Sequence, residues 1–564
     1  MSRILRGFLF VFMVATAQAQ MPHEVLLLVN RNSQPSLFAA NTFAAMRGIP
    51  KQNIVYLDIP ESAYGDTATV TPEEFTRLIW EPANAEARKR GIDGQILAWV
   101  YSVDFPIRVK TDPYDRKQMS VGGMTFVRNK PPALTLVEDG KYFSKLFSGP
   151  NQRLKLSLPA FSLAVRRDGF EMNERMPPEV GSWQGGLGED MPLPSMMLGY
   201  VGEKGTDVQT VIDTLARGKE SDHRGGRKGI YFVMSDDVRS KCREWQYYPA
   251  VAELQERKIE ANVTTNFPAG AEDVMGVLMG AEKVDPSLIK SFAPGAMAEH
   301  LTSWSAQFQK PQTKATEWLK AGATASAGAV VEPYSNPNKF PSARFFTHYI
   351  SGCTMLESFY QSIACPLQSL LLGDPLAKPY APPVTVKILG SERPGSFFTY
   401  AAQVSSLFNN ALYIYSFMLD GKEIQAPSEE GSFYLRTANL SDGYHELRAV
   451  VRVQHFVQFN AHADKPIFIN RMGRSLSILP SVEKIGEHNH GIKVKVEGEE
   501  QPEKLRLVCG TQVLDEKSFT PDAELVLDEL VTGEGPNRIR AIAIYADGME
   551  VSSPPVSFAI KFIQ

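Results

Sequence analysis

Glu24-Val-Leu-Leu-Leu-Val-Asn30 is a short apolar run closed by a polar cluster, and from Ser33 a helical pattern follows that reaches Arg47 and stops at Gly48-Ile49-Pro50. An unbroken apolar run of this length suits a strand buried on both faces, as in parallel sheets. In the helical stretch Leu37, Phe38, Ala40, Ala44 and Ala45 fall on apolar positions, and a Gly followed by a Pro ends it. Ile54-Val-Tyr-Leu-Asp58 repeats the strand pattern. Thr71-Pro72-Glu73-Glu74 opens a second helix with an N-cap and an acidic first turn, and Ile96-Leu-Ala-Trp-Val-Tyr-Ser102 is a third strand. Strand, helix, strand, helix, strand at this spacing predicts an α/β domain with a mostly parallel, three-layer sheet and right-handed crossovers.

Working outward, the pattern blurs between about 110 and 195, a Gly- and Pro-rich stretch read as an irregular insertion. It returns at Met196–Val201, a helix near 206–217, the strand Gly229–Met234, a helix near 245–257, the strand Val274–Met279, the small apolar run Gly322–Val331, a helix near 343–363 and Ser369–Leu372. Gly373-Asp-Pro-Leu-Ala-Lys-Pro-Tyr-Ala-Pro-Pro383 then breaks the composition, so the α/β domain is expected over 20–380. Beyond it come short alternating strands with turns at Asp420-Gly421, Asp442-Gly443 and Asp547-Gly548. Gly443-Tyr-His-Glu-Leu-Arg-Ala-Val-Val451 aligns with Gly535-Pro-Asn-Arg-Ile-Arg-Ala-Ile-Ala543. A repeat of roughly 90 residues predicts two all-β immunoglobulin-like sandwiches, over 384–480 and 481–564.

At the other end, Arg3 and Arg6 precede the apolar run Gly7–Ala15 and then Ala17-Gln-Ala19. This is the layout of a signal peptide over 1–19, and the apolar run falls short of the about 20 residues needed to span a bilayer. The mature chain is therefore expected to be exported (periplasmic, cell-surface or secreted) with no membrane span. Among 564 residues, 59 Lys and Arg against 63 Asp and Glu leave a net charge of -4 with no dense basic run, which argues against nucleic acid. Cys242, Cys353, Cys365 and Cys509 become readable in an oxidising compartment, and Cys353 with Cys365, flanking a predicted helix, is the most plausible disulfide. No C-x-x-C and no H-x-x-x-H occurs, so neither a metal nor another cofactor is expected.

Ligands of open α/β sheets bind beyond the carboxyl ends of the strands. The polar residues expected there as binding-cleft candidates are Asn30, Asp104, Asp236, Glu282, Glu332 and Asp374. His300-Leu-Thr-Ser303-Trp-Ser305 sets an imidazole close to two hydroxyls, the residue types of a serine nucleophile and its base, but there is no G-x-S-x-G elbow. The favoured reading is that Thr302 and Ser303 cap a helix or turn while His300 is a surface or hydrogen-bonded histidine. Asp236-Asp237, after a strand and before a helix, reads as a cap more readily than as a cation site. Gly373-Asp374-Pro375 reads as a turn that closes the domain.

Several stretches together resemble a known family: Val25–Asn30 with Ser33, Arg47-Gly-Ile-Pro50 with Ile54, Pro294-Gly-Ala with His300-Leu-Thr-Ser303, Gly328–Tyr334, and Leu370-Leu-Leu-Gly-Asp-Pro-Leu376. The family is one of uncharacterised exported bacterial proteins that co-occur with exosortase, a membrane protein-sorting transpeptidase. It implies a setting and no reaction. More distantly the arrangement is similar to the caspase/gingipain-like fold, whose peptidases use a His after one strand and a Cys after the next. The corresponding places here are Met279-Gly-Ala-Glu282 and Leu301-Thr-Ser-Trp-Ser305; the first lacks His and the second lacks Cys. The expectation is therefore a non-catalytic envelope protein that binds a peptide or a glycan (an envelope protein or a polysaccharide as partner). The alternative is a secreted hydrolase with a non-standard site.

Overall fold

The computed structural model describes residues 21–65, 68–147, 192–227, 229–408, 411–454, 457 and 459–561. The expected signal peptide and most of the second half of the expected insertion lie outside them. In chain order the strands of the α/β domain are β1 (Val25–Asn30), β2 (Ile54–Leu57), β3 (Thr69–Val70), β4 (Ala98–Tyr101), β5 (Arg108–Val109), β6 (Met119–Ser120) and β7 (Ser195–Met197). They continue with β8 (Ile230–Val233), β9 (Ala261–Thr264), β10 (Val274–Gly280), β11 (Phe292–Leu301), β12 (Ala325–Ala329) and β13 (Ser369–Gly373).

Ten of them form one sheet in the order β2-β1-β4-β7-β13-β12-β11-β10-β8-β9, while β3, β5 and β6 make a small separate sheet, of which only β6 falls within the expected insertion. β1 is buried at every position, as its unbroken apolar run demands. Burying each of its leucines is worth roughly 1.5–3 kcal/mol. The first helix, α1 (Gln34–Arg47), is capped by the Ser33 side chain, which accepts from the Ser36 amide, and it ends at Gly48 with φ 67°.

The strand directions decide where a site can lie. β2, β1, β4, β7 and β13 are mutually parallel, and so are β12, β11, β10, β8 and β9, but β12 and β13 pair antiparallel with Ala325 opposite Gly373. The sheet is thus two parallel halves joined head to tail, and their carboxyl ends lie at opposite rims. A single rim collecting every strand-end residue, as the sequence reading assumes, does not exist.

The helix predicted over 343–363 is two helices, Arg344–Ile350 and Met355–Ser362. Gly352 between them has φ 99°, and a Cβ there would lie 2.5 Å from the Phe459 ring. All four cysteines are free, which corrects the pairing of Cys353 with Cys365. They stand at either end of the eight-residue helix Met355–Ser362. That helix is about 12 Å long, beyond the roughly 7 Å Cα separation a disulfide tolerates.

After the proline-rich linker, two sandwiches follow. In the first, the sheet of Val384–Leu389, Phe397–Ser406 and Ser432–Arg436 covers Leu412–Leu419 and Gly443–Gln454 around a core including Tyr400, Phe417 and Leu447. In the second, Ser475–Lys484 pairs with Asn489–Glu497, so this strand straddles the expected boundary at 480 and belongs to the second sandwich. Its core includes Leu505, Leu525 and Ile539. The two aligned repeats are equivalent strands, each opened by a glycine with positive φ, Gly443 at 99° and Gly535 at 101°. At Gly443 the sandwiches join edge to edge through a parallel bridge to Ser552, and a Cβ there would meet the Ser552 carbonyl at 2.5 Å. Both sandwiches dock on the α/β domain. Arg452 pairs with Glu24 at 3.2 Å, and Asn41 donates to the carbonyls of Thr532 and Glu534 at 2.9 and 3.0 Å.

Candidate functional site

The chain leaves β1 toward β2 on one side and reaches β4 on the other, which makes the gap beyond the ends of β1 and β4 a topological switch point, where open α/β sheets take ligands. Asn30 ends β1. Its backbone N–H donates to the Ser36 hydroxyl at 3.0 Å, its side-chain amide donates to the Asp104 carbonyl at 2.9 Å, and its Oδ1 accepts from the Asn32 amide at 3.1 Å. These bonds fix the turn into α1 and hold the loop after β4 against it. The Ser33 hydroxyl donates to Asp104 Oδ2 while its oxygen caps α1. Asp104 Oδ1 has no hydrogen-bond partner among the described residues.

Asp104 is half-buried with φ 58°, the left-handed region that few side chains other than Asn and Asp enter readily. Non-glycine residues held there cluster at functional sites. Burial raises its carboxyl above the ordinary range, against the lowering effect of the Ser33 bond. Burial and then the charges of Asp104 and Glu61 raise the neighbouring Tyr64 phenol. The exposed Arg31 faces Asp58 at 3.5 Å. The strand-end region thus carries a half-buried carboxylate with one oxygen unbonded among the described residues, close to Tyr64 and Glu61, an arrangement suited to hydrogen-bond donors. Asp374 ends the same half-sheet but is unavailable. It is fully buried, accepts from Arg47 Nε at 3.0 Å and from its Nη2, and takes the Leu376 amide at 3.0 Å. Arg47 also reaches Asp222 at 2.6 Å, so this is an internal ion cluster joining α1, the helix Val208–Ser221 and β13.

At the opposite rim His300, Ser303 and Ser305 are occupied by their surroundings. His300 is fully buried; its Nδ1 accepts from Trp318 Nε1 at 2.9 Å and its Nε2 lies 3.2 Å from the Thr313 carbonyl, so the tautomer is assigned as Nε2–H. Burial pushes the imidazole down to about 3, where it is neutral. Neither ring nitrogen is hydrogen-bonded to a serine. The Ser303 hydroxyl donates instead to Glu332 Oε1 at 3.0 Å, and the same oxygen accepts from the Tyr334 amide at 3.0 Å. Ser305 is fully buried and its hydroxyl accepts from the Ala329 amide at 3.3 Å. Thr302 donates to Gln312 Oε1 at 2.8 Å and caps no helix. The residue before His300 points to the other face of β11, as strand alternation requires. It is Glu299, bound at 2.6 Å to Arg243 Nη1.

Asp236 is exposed beside Lys241 at 2.8 Å, whereas Asp237 caps the following turn through the Arg239 amide at 2.9 Å. Glu282 is exposed, and among the described residues only its backbone carbonyl is engaged, by the Thr313 amide at 3.4 Å. Fold geometry therefore unites Asn30 with Asp104 and Ser303 with Glu332, and separates His300 from both serines. Ser33 and Tyr64 belong to the crevice and escape sequence reading. Ser33 was marked only as the start of a helical pattern and as part of the stretch that carries the family resemblance, and nothing local marks Tyr64.

No protein-family model matches the chain, and no curated protein matches it. It is similar to the complex of Porphyromonas gingivalis RgpB pro- and mature domains, with a TM-score of 0.42 and 8% identity over 79% of this chain and 100% of that one. It is similar also to the Arg specific cysteine proteinase gingipain R, with a TM-score of 0.40 and 9% identity over 80% and 100% of the two chains. Over 29% of this chain and 40% of that one it is similar to the Bacteroides ovatus mixed-linkage glucan utilization locus protein SGBP-B in complex with a mixed-linkage heptasaccharide, with a TM-score of 0.17 and 14% identity. Likeness at these values transfers neither an activity nor a ligand.

Proposed function

We propose that the chain is an exported envelope protein that grips a donor-rich segment of a peptide or a glycan in the Asp104 crevice and does not cut it. Its setting would be the surface-protein sorting machinery that the family resemblance suggests. The observation that carries this reading is the contrast in availability: Asp104 Oδ1 is open, while both nitrogens of His300 are taken. A serine nucleophile needs a base to take its proton and a third group to orient that base. Here the imidazole has neither a serine nor a carboxylate partner, and the two carboxyl rims face away from each other. The sandwiches serve as spacers that present the α/β domain.

The test places a photo-crosslinking amino acid at Asn32, beside the crevice, and a second at Glu332, at the far rim, in cells that make the protein. Recovery of a surface protein or a polysaccharide from position 32, lost on Asp104→Ala, is the expected result. Equal capture from position 332, or capture indifferent to Asp104, overturns the crevice. Labelling of the protein by a fluorophosphonate that disappears in Ser303→Ala or Ser305→Ala overturns the non-catalytic reading.

A further inference from the structure

Where α1 and the segment leading into β2 meet both sandwiches, the described residues line a partly open cavity of about 490 Å³. Ligand pockets typically measure roughly 300–1,000 Å³. Its wall is shared by all three domains: Lys51 and Tyr56 from the α/β domain, Tyr444 and Glu446 from the first sandwich, Arg538 and Arg540 from the second. Most charges around it are matched. Arg448 holds Asp464 through two bonds of 2.6 and 2.8 Å, Asp420 holds His445 at 2.7 Å, and Arg538 lies 3.6 Å from Glu446.

Two cations are not matched. Neither Lys51 nor Arg540 has a carboxylate within ion-pair distance among the described residues, and Arg540 Nη1 donates to the Ser552 hydroxyl at 3.1 Å. The Lys51 ammonium and the Tyr56 hydroxyl have no hydrogen-bond partner among the described residues, yet both side chains line the cavity. Burial and then the nearby Arg540 charge pull Lys51 down to about 8, against the opposing pull of Asp420 and Glu446. Lys51 and Arg540 are half-buried and face the same partly open cavity without an ion-pair partner among the described residues, so an anion placed between them would add to the longer-range attraction of Asp420 and Glu446. The open phenol and the Glu446 carboxylate supply polar contacts for hydroxyl groups.

We propose that this three-domain cavity binds a hydroxylated organic anion, a sugar acid or a sugar phosphate, with its charged group between Lys51 and Arg540 and its hydroxyls against Tyr56 and Glu446. This site is separate from the Asp104 crevice, and neither reading depends on the other. Because the ligand would touch all three domains, its binding would lock the sandwiches onto the α/β domain.

The test measures binding by calorimetry and by thermal shift on the full mature chain, with D-glucuronate, glucose 6-phosphate, glucose and inorganic phosphate as probes. Glucuronate or glucose 6-phosphate is expected to bind and raise Tm, with glucose inert, and whichever of the two anions binds tighter assigns the charged group as carboxylate or phosphate. Lys51→Met and Arg540→Met should each weaken binding at least tenfold, and Lys51→Arg should restore it. Lys51→Met should leave the Tm of the ligand-free protein unchanged or higher, since an unpaired cation is removed. The proposal falls if neither organic anion binds, if glucose or inorganic phosphate binds as tightly, or if Lys51→Met binds like the parent.

Discussion

At the carboxyl end of β11 an imidazole, two hydroxyls and a carboxylate each satisfy a neighbour, while at the carboxyl end of β4 a carboxylate keeps one oxygen open in a left-handed backbone. The two rims belong to one sheet and carry similar residue types. What separates His300 and Ser305 from Asp104 is how deeply each is buried, because a buried polar group must find an internal partner whereas a half-buried one can keep an atom for a ligand. His300 and Ser305 are fully buried and so are committed to the fold. Asp104 is not.

The largest effect that would sharpen this contrast comes from the deepest charge behind the β11 rim. Arg243→Leu leaves Glu299 buried without its partner and should destabilise the protein by about 3–5 kcal/mol in urea unfolding. Arg243→Leu with Glu299→Leu should recover most of that loss. A double variant as unstable as the single one would mean that the pair is not what holds this rim.

Next in size is acid sensitivity. Burial holds both His300 and His462 at about 3 in the folded protein, well below the imidazole value of 6.5. Between pH 6.5 and 3 the unfolded chain therefore binds protons that the folded chain refuses, and stability falls as pH falls through that window. The slope is up to about 1.4 kcal/mol per pH unit for each imidazole. Urea midpoints taken at pH 7, 6 and 5 should show a shallower fall for His300→Gln than for the parent. Parallel slopes would mean that His300 titrates freely and that the β11 rim is more open than its hydrogen bonds indicate.

Asp104→Asn should change stability by less than about 1 kcal/mol, since Asn tolerates the left-handed region and its oxygen can still accept from Ser33. Ser305→Ala, at the committed rim, should cost more than Asp104→Asn, about 1–3 kcal/mol, because it leaves the Ala329 amide without its acceptor. Reversal of that order would erase the distinction between the rims. The smallest effect is chemical: titration of the denatured, unreduced protein with a thiol reagent should count four thiols, and a count of two would reinstate a disulfide.

Much of the path from β1 to β4 was legible because each signal there is local. Ser33 caps α1, Gly48 ends it in the left-handed region and the apolar run of β1 is buried on both faces. The pairing of Gly443 with Gly535 was legible too, because the same strand occurs twice and opens each time with a positive φ. β11 was harder to delimit, since Pro294 and Gly295 interrupt its beginning, and β9 carries too little apolar sequence to announce itself. The break between the helices at Gly352 depends on the Phe459 ring, more than a hundred residues away in the chain, and no helical periodicity contains that information.

The amino-acid order by itself determined most of the strands and helices, and where the α/β domain gives way to sandwiches, since these depend on side-chain period and on residues that cap or break. It also set the polar residues that would stand at strand ends. Only the tertiary structure decided that β13 meets β12 antiparallel, so that those residues divide between two rims, that His300 faces Trp318 instead of a serine, and that Lys51 and Arg540 share a wall. Strand direction and side-chain partnership are long-range quantities. They depend on which surfaces the whole chain buries together, and no window of neighbouring residues specifies that.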